Sequence, residues 1–193
     1  MGAAVMLAEV ALAWTVDRAA GIAALMFASG SVVLGVMASF GKVKDAKAAH
    51  EALSLATIAA IGVHGVAFVL DPFFKAGVVG AVVPFASPYR PVAVAIGQLA
   101  GYGLIAFGLT YYVRGRIGPA RWKKAHRVVP VFWAMGILHA ILAGTDVEQP
   151  WFIAAAVAPV LAGLVAVAAR WEARSARVPR PGGPEASPRT QAR

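Results

Sequence analysis

The chain has 193 residues, of which 60% are hydrophobic and 14% charged, and it carries a formal net charge of +9. A composition this apolar, with uncharged runs of roughly 20 residues, is typical of a polytopic membrane protein and excludes an ordinary soluble domain. Because the sequence has no cysteine, it excludes disulfides, iron–sulfur clusters, thiolate heme ligation and covalent heme attachment.

The basic residues are distributed unevenly along the chain. Of the 18 lysines and arginines, 15 fall in the segments 42–47, 114–127 and 170–193, which leaves only Arg18, Lys75 and Arg90 elsewhere (18 − 3 = 15). This asymmetry is a strong positive-inside signal and predicts that the three segments, including the C-terminus, face the cytoplasm. The net charge is therefore explained by topology, and nucleic acid is not expected as a partner.

Five membrane spans are predicted, at about residues 19–40, 48–70, 91–113, 125–145 and 150–170. Residues 1–16, with Glu9 in the middle, are interpreted as an interfacial helix or an extension of the first span, and would give a sixth span if they crossed. The uncharged run 76–89 is too short to cross and predicts a lid or re-entrant segment on the outer surface. The fold class is thus an all-α helical bundle over residues 1–170, followed by a disordered cytoplasmic tail at 171–193.

All four histidines lie in two of these spans, 14 residues apart in one and 13 apart in the other. At 1.5 Å per residue, each separation is roughly 20 Å, much of the ~30 Å hydrocarbon core. The two spans run in the same direction, so His50 and His126 form an inner pair near the cytoplasm, and His64 and His139 form an outer pair. An ionisable residue inside a span is by default a functional hypothesis, and two imidazoles facing each other across a bundle suit a six-coordinate heme iron.

On an ideal helix, the two histidines share one face in the first of these spans but not in the second. His50 and His64 lie within about 40° of one face, whereas His126 and His139 are about 140° apart on an ideal helix. Pro130 lies between the latter two, and a proline kink is expected to re-aim the face. Hydrogen bonding between helices and a proton relay are the alternatives, and a zinc site is disfavoured because the histidines are split between two levels.

Three further residues and one glycine pair are candidates. Phe132 and Trp133 lie between the two histidine levels and are either ordinary core aromatics or a bridge between two macrocycles. Arg18, at the outer end of the first span, is either an interface anchor or a partner for a heme propionate. Gly97 and Gly101, four residues apart, predict close helix packing, and room for a macrocycle is the alternative.

The spacing H-x13-H in one helix and H-x12-H in another resembles the ferric reductase-like transmembrane domain of ferric reductases and superoxide-generating NADPH oxidases. Arg18-Ala-Ala-Gly21 also matches, and residues 116–126, RIGPARWKKAH, are similar to a signature of the heme subunit of the bacterial periplasmic methionine sulfoxide reductase system. The resemblance covers about residues 12–170. It implies two b-type hemes on the four histidines, an aromatic between them at Phe132 and a basic residue near the outer heme at Arg18.

The chain has no counterpart of the flavin and nicotinamide domains of the larger relatives. A separate flavoprotein reductase or a quinol is therefore expected as the electron donor, with ferric iron, oxygen or an extracytoplasmic protein as the acceptor. The predicted function is transmembrane electron transfer by the heme component of an oxidoreductase in the cell membrane. The alternative is a small non-redox transporter or scaffold that uses the histidines for proton relay or packing.

Overall fold

The computed structural model describes residues 2–38, 45–144 and 147–175. These ranges contain helices and short connections without a strand, so the predicted all-α class is confirmed for this part of the chain. The helices are α1 (Gly2–Ala38), α2 (Ala46–Leu70), α3 (Gly77–Val82), α4 (Pro91–Leu109), α5 (Arg114–Ile117), α6 (Pro119–His126), α7 (Val129–Ala143) and α8 (Pro150–Ser175).

Four helical stretches are long and apolar enough to cross a membrane. They are Ala11–Ala38, Ala46–Leu70, Pro91–Leu109 and Pro119–Ala143. These stretches fit a multi-pass membrane protein and coincide with the first four predicted spans. The fifth predicted span coincides with the 26-residue α8, and its crossing stays a prediction.

The ends of the predicted segments differ from the observed helices in three places. The segment 1–16 is continuous with the first span, because α1 runs unbroken from Gly2. The third span ends at Leu109 rather than at residue 113, because successive i→i−3 hydrogen bonds from Tyr111 onward turn the chain. Helix α8 continues to Ser175, five residues into the predicted tail. Residues 176–193 and the basic residues Lys42 and Lys44 lie outside the described residues.

The two histidine-bearing helices are each backed by another helix. α2 carries His50 and His64 and packs along α1, whereas α7 carries His139 and packs along α4. Further contacts join α1 to α7 and α8, and α2 to α4. The histidine helices therefore lie between α1 on one side and α4 on the other.

The helix that carries the second histidine pair is interrupted between its two histidines. α6 ends at His126 and α7 begins at Val129, and the backbone N–H groups of Arg127, Val128 and Val131 each bond to the carbonyl three residues earlier. In such a tighter turn each residue advances about 120° rather than 100° around the axis. This winding, with Pro130 in the first turn of α7, brings both histidines toward the same partner helix, as the kink prediction requires.

The connection between α2 and α4 folds back beside α4. Gln98 Nε2 donates a hydrogen bond to the Gly80 carbonyl at 2.8 Å, and the Tyr102 hydroxyl donates one to the Val82 carbonyl. Gln98 and Tyr102 lie roughly 10 and 16 Å along α4 from Pro91, and helical side chains lean back toward the N-terminus. The α3 segment is therefore tied to the first half of α4 by two side chains, and whether it is a lid or a re-entrant segment stays a prediction.

Candidate functional site: two histidine pairs

The structure brings the four histidines together as the two predicted pairs. The ring centroids of His50 and His126 lie 6.1 Å apart with an interplanar angle of 89°. Those of His64 and His139 lie 6.3 Å apart at 70°. The nearly equal separations mean that both pairs hold their imidazoles at the same spacing across the bundle.

His64 of the outer pair packs against helix α1 at a site that we call a seat, which consists of a backbone carbonyl and a glycine four residues later. Its Nδ1 donates a hydrogen bond to the backbone carbonyl of Asp17 at 2.9 Å. Four residues along the same helix, a Cβ built on Gly21 would lie 3.2 Å from the His64 ring. One residue thus supplies a hydrogen-bond acceptor, and the other allows the ring to approach the helix backbone.

His50 of the inner pair lies in a second seat of the same kind on α1. Its Nδ1 lies 2.7 Å from the carbonyl oxygen of Ser31 and 3.0 Å from the Ser31 hydroxyl. A Cβ built on Gly35 would lie 3.0 Å from the His50 ring. The Ser31 hydroxyl also lies 2.8 Å from the Ser54 hydroxyl of α2, which adds a second link between the helices.

His139 of the outer pair lies in a third seat, on α4. Its Nδ1 donates to the Ala93 carbonyl at 2.8 Å, and a Cβ built on Gly97 would lie only 2.5 Å from that nitrogen. All three seats therefore combine a backbone carbonyl at one position with a glycine four residues later, on one face of the helix. The close packing predicted for Gly97 is confirmed, and its neighbour is an imidazole.

His126 of the inner pair is held differently. Its ring stacks on Trp122, with centroids 4.7 Å apart and an angle of 22° between the planes. Its Nδ1 is buried and has no hydrogen-bond partner among the described residues. The Trp122 indole nitrogen donates to the Thr110 hydroxyl at 3.3 Å. His126 is thus positioned by an aromatic stack rather than by a carbonyl.

A cavity of about 1,210 Å³ lies beside the outer pair. It exceeds the roughly 300–1,000 Å³ typical of small-molecule sites. Its lining includes both outer histidines, Gly21 and Gly97 of their seats, and Trp133. His64 leaves 31% of its side chain exposed. The outer pair therefore has enough adjoining space for a large ligand.

Two arginines line this cavity. The Arg18 guanidinium lies 4.6 Å from the centroid of the Trp14 ring, a cation–π geometry. Arg90 Nη1 donates to the Leu142 carbonyl at 2.6 Å. Both residues line the cavity that also contains the outer histidines. Arg90 was not singled out from the sequence.

Of the two aromatics predicted between the levels, Trp133 is the one that crosses the bundle. It is buried, and its indole nitrogen donates to the Ser29 hydroxyl of α1 at 3.0 Å. Phe132 instead packs on α4, where it occupies the space left by Gly103 and lies 5.7 Å from the Phe107 ring. The resemblance implies Phe132 as the aromatic between two hemes, and the structure places Phe132 against α4 and Trp133 against α1.

Sequence reasoning missed the residues that seat the histidines. A usable signal was present, because Gly21 and Gly35 are 14 residues apart in α1, the same separation as His50 and His64 in α2. Two antiparallel helices with equal spacings place each glycine opposite one histidine. Asp17 and Ser31, four residues before these glycines, were therefore also identifiable.

The described residues contain no group of three or more His, Cys, Asp or Glu side chains placed for one metal ion. Each histidine pair therefore offers two protein ligands. The sequence matches no protein-family model, and no solved structure matches the chain. The function of the two pairs thus rests on their own geometry and chemistry.

Proposed function

We propose that the protein is a membrane electron-transfer subunit in which each histidine pair binds one heme b between its imidazoles. The observation that carries this proposal is the equal spacing of the two pairs, 6.1 and 6.3 Å between ring centroids. With a metal–nitrogen bond of about 2.0–2.1 Å on each side, two opposed imidazoles have centroids roughly 6–6.5 Å apart. Both pairs fall in this interval, which edge-to-face contact between the two rings also allows.

The hydrogen bonds of the rings also suit metal ligation. A ligating histidine usually donates its other ring N–H to a carbonyl or carboxylate, which fixes the ring and leaves the second nitrogen for the metal. His50, His64 and His139 each bond to a neighbouring carbonyl through Nδ1. Their Nε2 atoms are therefore the available ligand atoms, so these three rings fit the axial positions of a heme.

The space and charge around the outer pair fit a macrocycle that carries two carboxylates. The cavity there is large and mostly apolar in its lining residues, and Arg18 and Arg90 are its two arginines. A guanidinium recognises a carboxylate by paired, charge-assisted hydrogen bonds. Arg18 and Arg90 are accordingly the residues we propose to bind the propionates of the outer heme.

A bound heme b supplies one-electron chemistry, and the chain supplies two sites about 20 Å apart along α2. Trp133 lies between the levels and links α7 to α1 through Ser29, so we propose it as the aromatic between the two hemes. With the C-terminus and the basic loops in the cytoplasm and α8 crossing as a fifth span, electrons move outward. A membrane potential negative inside favours that direction by about 2.3 kcal/mol per 100 mV for a full crossing.

The electron donor we propose is a separate flavoprotein or a membrane quinol, and the acceptor is an extracytoplasmic protein, oxygen or ferric iron. The segment 114–127 contains six basic side chains, of which all but Arg114 are exposed. A basic surface beside the inner pair suits the docking of an acidic partner or an anionic flavin. Trp122, stacked on His126, lies in this segment and gives the partner an aromatic contact to the inner site.

The test is the heme content and the reduced-minus-oxidised absorption spectrum of the purified protein and of four histidine-to-alanine variants. Alanine offers no ligand atom, so His64→Ala and His139→Ala should lose one spectral component, and His50→Ala and His126→Ala the other. Purified protein without heme, or four variants with unchanged heme content, would contradict the proposal.

A proton relay is a second candidate, favoured by one observation. Asp17 Oδ1 lies 3.0 Å from His64 Nδ1, and a carboxylate beside a histidine is a common element of intramembrane proton pathways. Heme-free protein that conducts protons in vesicles, and loses this conduction in His64→Ala, would favour the relay over electron transfer.

A further inference from the structure

Asp17 contributes more to the outer pair than its seat on α1 requires. The seat uses only the backbone carbonyl of Asp17, which accepts the hydrogen bond from His64 Nδ1 at 2.9 Å. The equivalent positions in the other two seats are Ser31 and Ala93. Since alanine serves as well for the carbonyl, the carboxylate at position 17 is not needed to hold the ring.

The carboxylate nevertheless lies directly beside the ring. Its Oδ1 is 3.0 Å from His64 Nδ1 and is buried without a hydrogen bond to any of the described residues. Asp17 as a whole is only 8% exposed. Among the described residues, the other three histidines have no such carboxylate neighbour. A buried ionisable side chain in a span is costly, so this arrangement calls for a partner that gains from a nearby negative charge.

We infer that the Asp17 carboxylate lowers the midpoint potential of the heme at the outer pair by placing a fixed negative charge beside its His64 ligand. This inference rests on the proposed function. Ferric heme carries one more positive charge than ferrous heme, so a nearby anion stabilises the ferric state more than the ferrous state. The effect is strong where burial lowers the local dielectric, and it makes the reduced outer heme a stronger electron donor to its acceptor. In this inference the Asp17 carboxylate tunes the midpoint potential, while the ligand is His64.

The test is a spectroscopic redox titration of the purified holoprotein and of Asp17→Asn. Asparagine keeps the size of the side chain and the backbone carbonyl of the seat but removes the charge. We expect unchanged heme content, a higher midpoint potential for the outer component and an unchanged inner component. A tenfold change in the ferric–ferrous equilibrium corresponds to 59 mV for one electron, and the expected shift is of at least that size.

Two further variants separate charge from packing. Asp17→Glu keeps the charge and should give a potential closer to that of the original protein than Asp17→Asn does. Glu51→Gln removes a carboxylate from the opposite end of α2, where it accepts a hydrogen bond from the Tyr112 hydroxyl, and should leave the outer potential unchanged. An outer potential that does not move in Asp17→Asn, or one that moves equally in Asp17→Glu, would overturn the inference.

The outcomes also distinguish this inference from the proposed function. If the purified, unmodified protein contains no heme, the proposed function is refuted, whichever residue occupies position 17. A heme-loaded protein in which Asp17→Asn leaves the outer midpoint potential unchanged would refute only the tuning role. Loss of the outer heme in Asp17→Asn would likewise overturn the tuning role, because it would show that the carboxylate is needed to hold His64.

Discussion

The substitution Gly35→Ala tests whether the glycine seats determine heme binding. A Cβ at position 35 would lie 3.0 Å from His50 Cε1 and 3.2 Å from its Nδ1, whereas ordinary contacts begin at 3.4 Å. The ring must therefore retreat while its Nδ1 is held at 2.7 Å from the Ser31 carbonyl. Without heme the imidazole can rotate away, but a ligating imidazole is fixed on both sides. We therefore expect Gly35→Ala to weaken heme binding rather than to lower the free energy of unfolding.

The size of the effect follows from the cost of the added methyl group. Adding a methyl group to a tightly packed site costs about 1–3 kcal/mol. Replacing a helical glycine by alanine also returns about 0.8–1.0 kcal/mol of helix propensity, but this gain is the same with and without heme and so cancels from the heme affinity. Since about 1.4 kcal/mol is a factor of ten, we expect the inner site to bind heme roughly 5- to 100-fold more weakly.

Gly30→Ala is the matched control. It lies in the same helix, and its Cβ would also approach a neighbour to 3.0 Å, but that neighbour is the terminal methyl group of Leu53. A leucine methyl can rotate away, so the control should keep both hemes and unfold at or slightly above the original temperature. Heme retention during titration with apomyoglobin as a competing acceptor measures the affinity, and His50→Ala identifies the inner component. Equal heme loss in both variants, or none in Gly35→Ala, would refute the reasoning.

Three other predictions follow from the same structure. Gly97→Ala should abolish the outer heme and spare the inner one, because its Cβ would lie 2.5 Å from His139 Nδ1; an intact outer component in the difference spectrum would contradict this. Trp133→Phe should lower stability by about 1 kcal/mol, the usual value of one hydrogen bond, and slow electron exchange between the hemes in rapid-mixing experiments; unchanged exchange would exclude Trp133 from the path. Reporters fused after Arg193 should be active in the cytoplasm and reporters inserted at 84–86 outside it, whereas the reverse pattern would contradict the predicted orientation.

The architecture was predictable because the membrane imposes simple rules. Apolar runs of membrane length located four helices that the structure shows to be long and apolar enough to cross a membrane. The histidine pairs followed from depth alone, since two parallel spans with histidine spacings of 14 and 13 residues must present them at matching levels. The direction in which each histidine points around its helix axis was less predictable. The 140° mismatch between His126 and His139 is an ideal-helix value, and the backbone at Arg127 and Val128 departs from that helix.

The seats were not predicted because they depend on pairing between helices rather than on the pattern within one helix. A glycine in an apolar span predicts close packing in general, but which side chain fills the space depends on register. Here α1 and α2 run antiparallel with equal 14-residue spacings, so fixing Gly21 against His64 also fixes Gly35 against His50. One register satisfies both contacts, and a shift by a single residue would lose both. The carbonyls of Asp17 and Ser31 then reach the two Nδ1 atoms, because each lies one helical turn from its glycine. On this reasoning α1 acts as the template that sets the depth of both α2 histidines, because its glycines and carbonyls fix where each ring can lie.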